Sequence, residues 1–549
     1  MKKRALIPGF ILFLAFCSTE RSGRDIRNAA ATFPLEEATI EQLQRMMTTG
    51  ARSGEEIVAL YLGRIGALDQ SGAGLNAVLE INPDALTTAR ALDRERAAKG
   101  PRGPLHGIPI LIKDNIDTAD RMETTAGSLA LLGSKPLRDA FVVERLRAAG
   151  VVIIGKTNLS EWANFRANRS SSGWSGRGGQ TRNPYALDRN PSGSSSGSAV
   201  AVAANLAAAA VGTETDGSIV SPASYCGIVG LKPTVGLVSR AGIIPIAHSQ
   251  DTAGPMTRTV ADAARLLTAL AGPDPRDPAT GESEAKTPRG DYAEFLDAGG
   301  LRGARIGIVR SDSFGLSRKL DPLLAGAVAA MKREGAEIID PVEIPTLGKT
   351  DDSELEVLLY EFKADLAAYL NGRPDAKIRG VADLIAFNDR HREQEMPYFG
   401  QEILEKAARK GPLTDKAYAE ALKKNHDLTR MKGIDGALAG YRLDALAAIT
   451  SGPAHPTDLV NGDANTGGSS SPAAVAGYPS ITVPAGFVSG LPVGISFFGR
   501  AWSEPTLIRL AYAYEQATRA RRPPRFHPLA DVPAGAFRRA DVAKTADAR

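Results

Sequence analysis

The chain has 549 residues, and its 66 basic and 62 acidic side chains leave a formal net charge of only +4. This length suits one large enzyme or two to three smaller domains. The charges are spread along the chain and form no basic block, so we expect no nucleic-acid partner.

The first predicted element is a targeting sequence. The basic start MKKR precedes an apolar run ending at Phe16, which is shorter than the roughly 20 residues of a membrane-spanning helix. We predict a signal peptide or a lipoprotein signal over 1–17, a linker over 18–34, and export to the periplasm or the outside. Membrane attachment is expected only if Cys17 is lipidated. The bulky Phe16 stands where lipoprotein cleavage sites carry a small residue, so both alternatives stay open.

After this segment the hydrophobic pattern predicts a helical lead-in and then alternating strands and helices. Amphipathic patterns occur at 38–49, 54–69 and 83–99, with Ser53 as a cap for the second. From residue 107 onward short apolar runs alternate with helical patterns, which favours α/β layering.

The second half of the chain contains a change of pattern. Over 350–430 strand-like runs are absent and the sequence is helical and charged, which predicts an all-helical insertion able to cover a cleft. Strands return at 445–450, 480–485 and 492–499, a last helix follows near 504–520, and a tail is predicted at 526–549.

Three stretches carry the candidate chemistry: GIPILIKDNID (107–117), NPSGSSSGS (190–198) and GTETDGSIVSPAS (212–224). Lys113 follows a strand that is apolar on both faces, so it is delivered inward as a candidate base, although a solvated charge paired with Asp114 is the simpler interpretation. The turn before Ser218 can point several backbone N–H groups at one spot, as an oxyanion hole requires, or it is an ordinary strand end.

The Gly/Ser run at 190–198 has two further interpretations. Composition alone predicts a flexible linker, but the run enters an Ala-rich stretch of high helix propensity. It also matches GxSxG with Ser195 as nucleophile, yet that elbow must follow a strand, and NPYALDRNPS carries two prolines instead. An SxxK match at Ser283–Lys286 lacks its SDN companion and is discarded. The histidines that permit but do not position a triad are His106, His248, His391, His426, His455 and His527.

Taken together, the chain resembles the amidase signature family. Its lysine stretch, Gly/Ser loop and serine turn occur here in order as GIPILIKDNID, SGSSSGS and GTETDGSI, followed by CGIVGLKPTVGLVSRAGI and SQDTAGPM. The likeness is greatest to the peptide amidases. It implies one large α/β/α domain over 35–525 around a central mixed twisted sheet, with the 350–430 helices near the active-site mouth.

The resemblance also implies a catalytic triad of Lys113, Ser194 and Ser218. Ser218 would attack an amide carbonyl, Ser194 in a cis peptide would relay the proton, and Lys113 would act as the base. The alternatives are a GxSxG hydrolase using Ser195 and a binding protein that has lost turnover on the same scaffold.

The backbone N–H groups of Thr215, Asp216, Gly217 and Ser218 would form the oxyanion hole. No cofactor and no metal are expected, because the motif stretches contain no set of histidines, cysteines or carboxylates with ligand spacing, and Cys17 and Cys226 are the only cysteines. The expected partner is a small-molecule or peptide amide. The oligomeric state is not predicted.

Two departures from the family pattern bear on the substrate. Glu214 and Asp216 replace commoner residues and are expected to make the rim of the site more acidic. The basic residue that many members carry after the nucleophile is absent from Ile219-Val220-Ser221. Both changes favour neutral carboxamides over carboxylate-bearing substrates, and the missing basic residue also disfavours a tRNA-dependent role.

Overall fold

The computed structural model describes residues 33–288 and 290–530. The predicted signal sequence at 1–17 with Cys17, nearly all of the linker at 18–34, and most of the tail at 526–549 lie outside these residues. None of the helices in the described residues is both long and apolar enough for a membrane crossing.

Eleven strands of the described residues form one mixed sheet, in the order β1-β3-β2-β6-β8-β7-β12-β13-β11-β9-β10, and β4 and β5 form a small separate sheet. The strands are β1 (Val78–Ile81), β2 (Pro109–Lys113), β3 (Val152–Thr157), β4 (Trp174–Ser175), β5 (Gly179–Gln180), β6 (Ala209–Glu214), β7 (Val229–Lys232), β8 (Thr252–Thr257), β9 (Arg305–Ile308), β10 (Glu337–Ile339), β11 (Ala445–Ile449), β12 (Ser480–Val488) and β13 (Leu491–Phe498).

Helices pack around this sheet. They are α1 (Ile40–Thr48), α2 (Gly54–Leu68), α3 (Ala85–Lys99), α4 (Phe141–Ala148), α5 (Ser196–Ala203), α6 (Val220–Tyr225), α7 (Val260–Leu270), α8 (Ser283–Lys286), α9 (Asp321–Arg333), α10 (Asp351–Asn371), α11 (Val381–Arg390), α12 (Arg392–Glu395), α13 (Glu402–Ala408), α14 (Lys416–Thr429), α15 (Asp435–Tyr441), α16 (Ser471–Ala476) and α17 (Glu504–Thr518). Short 3-10 turns occur at Leu129–Leu131, Glu161–Asn164, Pro278–Glu282, Tyr292–Phe295, Ser311–Phe314 and Arg318–Leu320, and a π turn at Arg430–Ile434.

The centre of the sheet explains the near-continuous apolar runs in the sequence. Every residue of β2, β3, β6 and β8 is buried, which requires cover on both faces of the sheet. β2 lies parallel to β3 and β6, whereas β6 lies antiparallel to β8, so the sheet is mixed. The predicted α/β fold with a mixed central sheet is confirmed.

The predicted helix cap at Ser53 is present at the start of α2. The Ser53 hydroxyl accepts from the Glu56 N–H at 3.1 Å, and the Glu56 carboxylate accepts from the Ser53 N–H at 2.7 Å. This reciprocal capping box fixes where α2 begins.

The stretch predicted as a helical insertion contains α10 to α14 and lies between β10 and β11. Its apolar side chains form a core cluster with residues from the central domain, among them Phe362 and Leu366 of α10 against Trp162 and Ile244. The insertion is thus packed onto the loops that follow β3 and precede β8.

Gly197 in α5 is predicted to tolerate no side chain. A Cβ there would lie 2.3 Å from the Ala77 carbonyl oxygen and 2.5 Å from that of Asn158. We expect Gly197→Ala to lower the free energy of unfolding by about 1–3 kcal/mol in a urea titration, because the main chain must shift. The matched control is Gly326→Ala in α9, where nothing lies within 4 Å of the added Cβ. An equal response of the two variants would contradict this packing argument.

Candidate active site

Lys113 is the last residue of β2 and is fully buried. Its Nζ donates to Ser194 Oγ at 2.8 Å, to Thr213 Oγ1 at 2.8 Å and to the Thr213 carbonyl at 3.2 Å. Burial lowers the pKa of Lys113 to about 7, against the opposing charges of Asp251 and Glu214. The amine is therefore poised to exchange a proton near neutral pH.

The Gly/Ser run is an ordered wall of this site, so the linker interpretation is wrong. The Gly193–Ser194 peptide bond is cis, and α5 begins two residues later. Ser194 and Ser195 are both buried, and the Ser196 hydroxyl donates to the Ser192 carbonyl at 2.6 Å. The loop is held by its own hydrogen bonds.

Ser195 is not placed as a GxSxG nucleophile. Its hydroxyl donates to the Thr213 carbonyl at 2.9 Å and accepts from the Thr213 N–H at 3.2 Å, so it already acts both as a donor and as an acceptor within the protein. The preceding strand, β5, ends at Gln180, whereas the elbow needs a strand directly before the serine. These contacts disfavour the alternative.

Glu214, the last residue of β6, binds the main chain at the far end of the turn that follows this strand. Its carboxylate accepts from the N–H groups of Ile219 at 2.7 Å and Val220 at 3.0 Å. Gly217 has a φ of +76°, which glycine adopts without strain. Ser218 is joined to the Gly/Ser loop through the main chain, since the Ser195 N–H donates to the Ser218 carbonyl at 3.1 Å.

The turn leaves several backbone donors unused. Within the described residues, no acceptor is hydrogen-bonded to the N–H groups of Asp216, Gly217 or Ser218. The N–H group of Thr215, the fourth residue predicted for the oxyanion hole, also has no acceptor among the described residues, while the Thr215 hydroxyl and carbonyl bind Asp251 and Gln250. The group of free amides next to Ser218 is what stabilisation of a developing oxyanion requires.

The structure brings the predicted residues together to different degrees. Lys113 and Ser194 are in direct contact, whereas the hydroxyls of Ser194 and Ser218 are not joined by a hydrogen bond among the described residues. Sequence reasoning missed Thr213, which binds Lys113 at two atoms, and Asn115, whose amide donates to Thr213 Oγ1 at 3.0 Å. Asn115 stands in the same KDN motif as Lys113, so its position was a usable clue.

A cavity of about 510 Å³ opens beside the turn. Residues of the two motif loops and of the helical insertion line it, together with residues of the segments 313–314, 344–348 and 465–472. Neither Lys, Arg nor His is among its lining residues in the described part of the chain. The lining includes Ser192, Gly193, Asp216, Gly217, Ser221, Thr350, Asp351, Leu428 and Thr429.

The expectation of a rim acidified by Glu214 is wrong. This residue is only 2% exposed, its carboxylate binds backbone N–H groups, and it does not line the cavity. Strand alternation turns its side chain away from Thr213, its neighbour in β6. Asp216 does line the cavity, so that half of the expectation holds.

One group of the described residues has the composition of a metal site: His248, Glu361 and Asp365, with ligand atoms within 4.8 Å of one another. Each of these side chains already has a partner within the protein. His248 Nδ1 lies 2.9 Å from Asp365 Oδ2, and Glu361 Oε1 accepts from the Tyr418 hydroxyl at 2.8 Å. A protonated histidine between two carboxylates fits these contacts better than an ion. The expected absence of a metal stays a prediction.

The chain is similar to known amidases over nearly its whole length. A family model described as Amidase matches residues 56–508. A protein of Arabidopsis thaliana named as a probable amidase is 46% identical over 524 residues, which are 94% of this chain and 96% of that one.

Two solved structures extend the similarity to the fold. The crystal structure of native peptide amidase from Stenotrophomonas maltophilia is 56% identical, with a TM-score of 0.86 over 90% of this chain and 100% of that chain. The crystal structure of an amidase family protein from Bacillus anthracis is 37% identical, with a TM-score of 0.81 over 92% of this chain and 97% of that chain. The resemblance stated from the motifs is confirmed.

His248 is predicted to stabilise the protein in a pH-dependent way. The hydrogen bond to Asp365 and the nearby Glu361 carboxylate raise the pKa of His248 above its ordinary 6.5. The stabilisation is therefore fully present below pH 6.5 and is lost as the pH rises through the raised pKa. In urea titrations, wild type should exceed His248→Gln in stability by more at about pH 5.5 than at about pH 9.

The control is His391→Gln, since His391 contacts Phe387 and has no carboxylate partner among the described residues. Its stability difference from wild type should not vary with pH in the same way. A His248→Gln difference that is constant across the range would contradict the ion pair.

Proposed function

Because the chain belongs to the amidase family, we propose that it hydrolyses linear carboxamides, including peptide C-terminal amides, through an acyl-enzyme on Ser218. One observation carries the proposal: the 2.8 Å contact of a fully buried lysine, Lys113, with Ser194 beside a turn of free backbone amides. Amide hydrolysis itself follows from the family.

The contacts of Lys113 support its role as the base. A neutral amine has two N–H donors and one lone pair. The two N–H groups can donate to the two oxygens of Thr213, its carbonyl, which can only accept, and its hydroxyl. The lone pair is then available to receive the proton of the Ser194 hydroxyl. A lysine with a pKa of about 7 is largely neutral at slightly alkaline pH, which is the state a general base needs.

The reaction proceeds in two halves. Ser218 Oγ attacks the carbonyl carbon and its proton passes through Ser194 to Lys113, while the N–H groups of Asp216 and Gly217 bind the negative oxygen. Lys113 returns the proton to the leaving ammonia or amine as the carbon–nitrogen bond breaks. Water then attacks the ester and gives a proton through Ser194 to Lys113, which returns it to Ser218 Oγ as the ester bond breaks and the carboxylic acid is released.

A second candidate is a binding protein that has lost turnover on the amidase scaffold. The presence of all three residues of the proposed triad favours turnover. Absence of covalent labelling by a fluorophosphonate probe, measured by intact mass, would favour the binding protein instead.

We also propose that the protein is exported. The basic start and the apolar run that ends at Phe16 support this location. Fractionation of cells that express the full chain, with mass analysis of the mature N-terminus, tests export and lipidation of Cys17 together.

The serines are predicted to differ sharply in importance. Ser218→Ala should abolish fluorophosphonate labelling and hydrolysis, because no nucleophile remains. Ser194→Ala should lower kcat by about 10²–10⁴-fold with little change in KM, since only proton transfer is impaired. Ser196→Ala, on the same loop, is the control and should cost far less. An active Ser218→Ala variant together with an inactive Ser195→Ala variant would establish the GxSxG alternative.

The pH dependence of hydrolysis is predicted from Lys113. Because the neutral amine is required, kcat/KM should rise with pH and reach a plateau, with an apparent pKa of about 7. Lys113→Ala should remove this limb with most of the activity. Lys156→Met is the matched control: Lys156 is also buried, but it donates to the Ile116 carbonyl at 2.6 Å and to Thr124 Oγ1 at 2.7 Å. If the rise of kcat/KM with pH persists in Lys113→Ala but shifts in Lys156→Met, Lys113 is not the group that controls it.

Substrate charge is predicted to matter. The cavity is lined by Asp216 and Asp351 and by no basic residue of the described chain. A peptide amide should therefore exceed, by about tenfold or more in kcat/KM, the same peptide with a free carboxylate beside the scissile amide. Asp351→Asn should narrow this ratio without changing turnover of the neutral amide. Equal turnover of both substrates by the wild type would disprove the preference.

A further inference from the structure

The segment His248–Asp251 fastens the long helix of the insertion to the loops of the site. Three consecutive side chains bind three carboxylates of α10, and these carboxylates are seven and four residues apart, so they share one helix face. The pairs are His248 Nδ1 with Asp365 Oδ2, Ser249 Oγ with Glu361 Oε2 and Gln250 Nε2 with Glu354 Oε1, each at 2.9 Å.

The same segment holds Thr215, the first residue of the turn that leads to Ser218. The Gln250 amide donates to the Thr215 carbonyl at 3.3 Å, and the Thr215 hydroxyl donates to Asp251 Oδ1 at 2.5 Å. Thr215 is thus held at a main-chain atom and at a side-chain atom from one direction. Gln250 is buried and shares its amide nitrogen between Thr215 and Glu354.

Asp251 is itself fixed by the main chain. Its second carboxylate oxygen accepts from the N–H groups of Ile246 at 2.8 Å and Ala247 at 2.9 Å. The carboxylate therefore cannot follow Thr215 if the turn moves. This is a rigid anchor rather than a flexible surface contact.

We propose that Gln250 and Asp251 are positioning residues for amide hydrolysis, which fix Thr215 and thereby aim the free amides of the turn at the substrate carbonyl. The inference rests on the proposed function of this turn as the oxyanion hole. Neither side chain needs to touch a reacting atom, because preorganised donors lose effect when their main chain is misplaced by about 1 Å.

Asp251 has a second effect, through its charge. The groups that face Lys113 are the carboxylates of Asp251 and Glu214, and both favour its ammonium form. Asp251 is in turn faced by Arg240, which is held by Asp277. Loss of the Asp251 charge should therefore lower the pKa of Lys113 further. The hydrogen bond from the Thr215 hydroxyl lowers the pKa of Asp251 and so helps to keep it charged, and loss of this hydroxyl should act on Lys113 in the same direction but less strongly.

The positioning of Thr215 is tested with Thr215→Val, which removes the hydroxyl and keeps the shape of the side chain. We expect kcat to fall about 10- to 100-fold with KM within about threefold of wild type, and Thr215→Ser to restore most of the loss. Thr268→Val is the matched control, because the Thr268 hydroxyl donates to Asp291 Oδ1 at 2.7 Å in another part of the molecule. A Thr215→Val enzyme with wild-type kcat would overturn the proposal.

Gln250→Met supplies an independent test should Thr215→Val not fold, which a thermal melt reveals. It removes the contacts to Thr215 and Glu354 at similar volume and should also lower kcat more than it raises KM. Wild-type kcat in this variant would count equally against the proposal.

The charge effect is tested with Asp251→Asn, which removes the charge and keeps one acceptor oxygen, for either Thr215 or the N–H groups of Ile246 and Ala247. The acid limb of kcat/KM should move to lower pH in Asp251→Asn, by less in Thr215→Val, and stay in place in Gln250→Met, which a merely structural role would not produce. If the pH profile of kcat/KM is the same in Asp251→Asn as in the wild type, the proposed effect of the Asp251 charge is wrong. Lys113→Ala and Ser218→Ala are measured in parallel. If they remain active the proposed function fails, and if they are inactive while Thr215→Val and Gln250→Met are unaffected only the positioning role fails.

Discussion

The burial of one lysine amine governs the layout of this site. An ammonium group without partners is very unfavourable in an apolar interior, so Lys113 must be largely neutral or fully hydrogen-bonded. Thr213 supplies two of its three contacts, and the sheet places Thr213 there because β2 and β6 are parallel neighbours with Ile112 opposite Val211. A slip of one residue in this register would turn the Thr213 side chain to the other face of the sheet and leave the amine without its partner.

The same geometry explains why the third contact comes from a loop of glycine and serine. The loop must lie directly against the end of the sheet for Ser194 to reach Lys113. A Cβ on Gly212 would lie 2.9 Å from Ser195 Oγ, and one on Gly197 would collide with the main chain around Ala77. Small residues serve close approach here, not flexibility, which is why a composition typical of linkers belongs to an ordered part of the site.

How far the sequence alone reaches depends on the range of the contacts involved. Lys113, Ser194 and Ser218 were predicted because each lies in a compact motif that resembles a known family, and the strands with long apolar runs were predicted from local pattern. β8 was missed because TAGPMT has neither alternation nor β-branched enrichment, and its place between β6 and β7 is set by pairing with them. The partnership of Gln250 with Glu354 was also out of reach, since it joins segments about a hundred residues apart.

The insertion between β10 and β11 gives one helix two tasks. Asp351 begins α10 at the wall of the cavity, and Glu354, within the first turn of the same helix, binds Gln250, which holds Thr215. A substrate that presses on the start of α10 thus meets an element joined through two hydrogen bonds to the turn beside Ser218. Changes in α10 that displace Glu354 should therefore affect kcat as well as KM, because Glu354 supports the amides that act on the substrate.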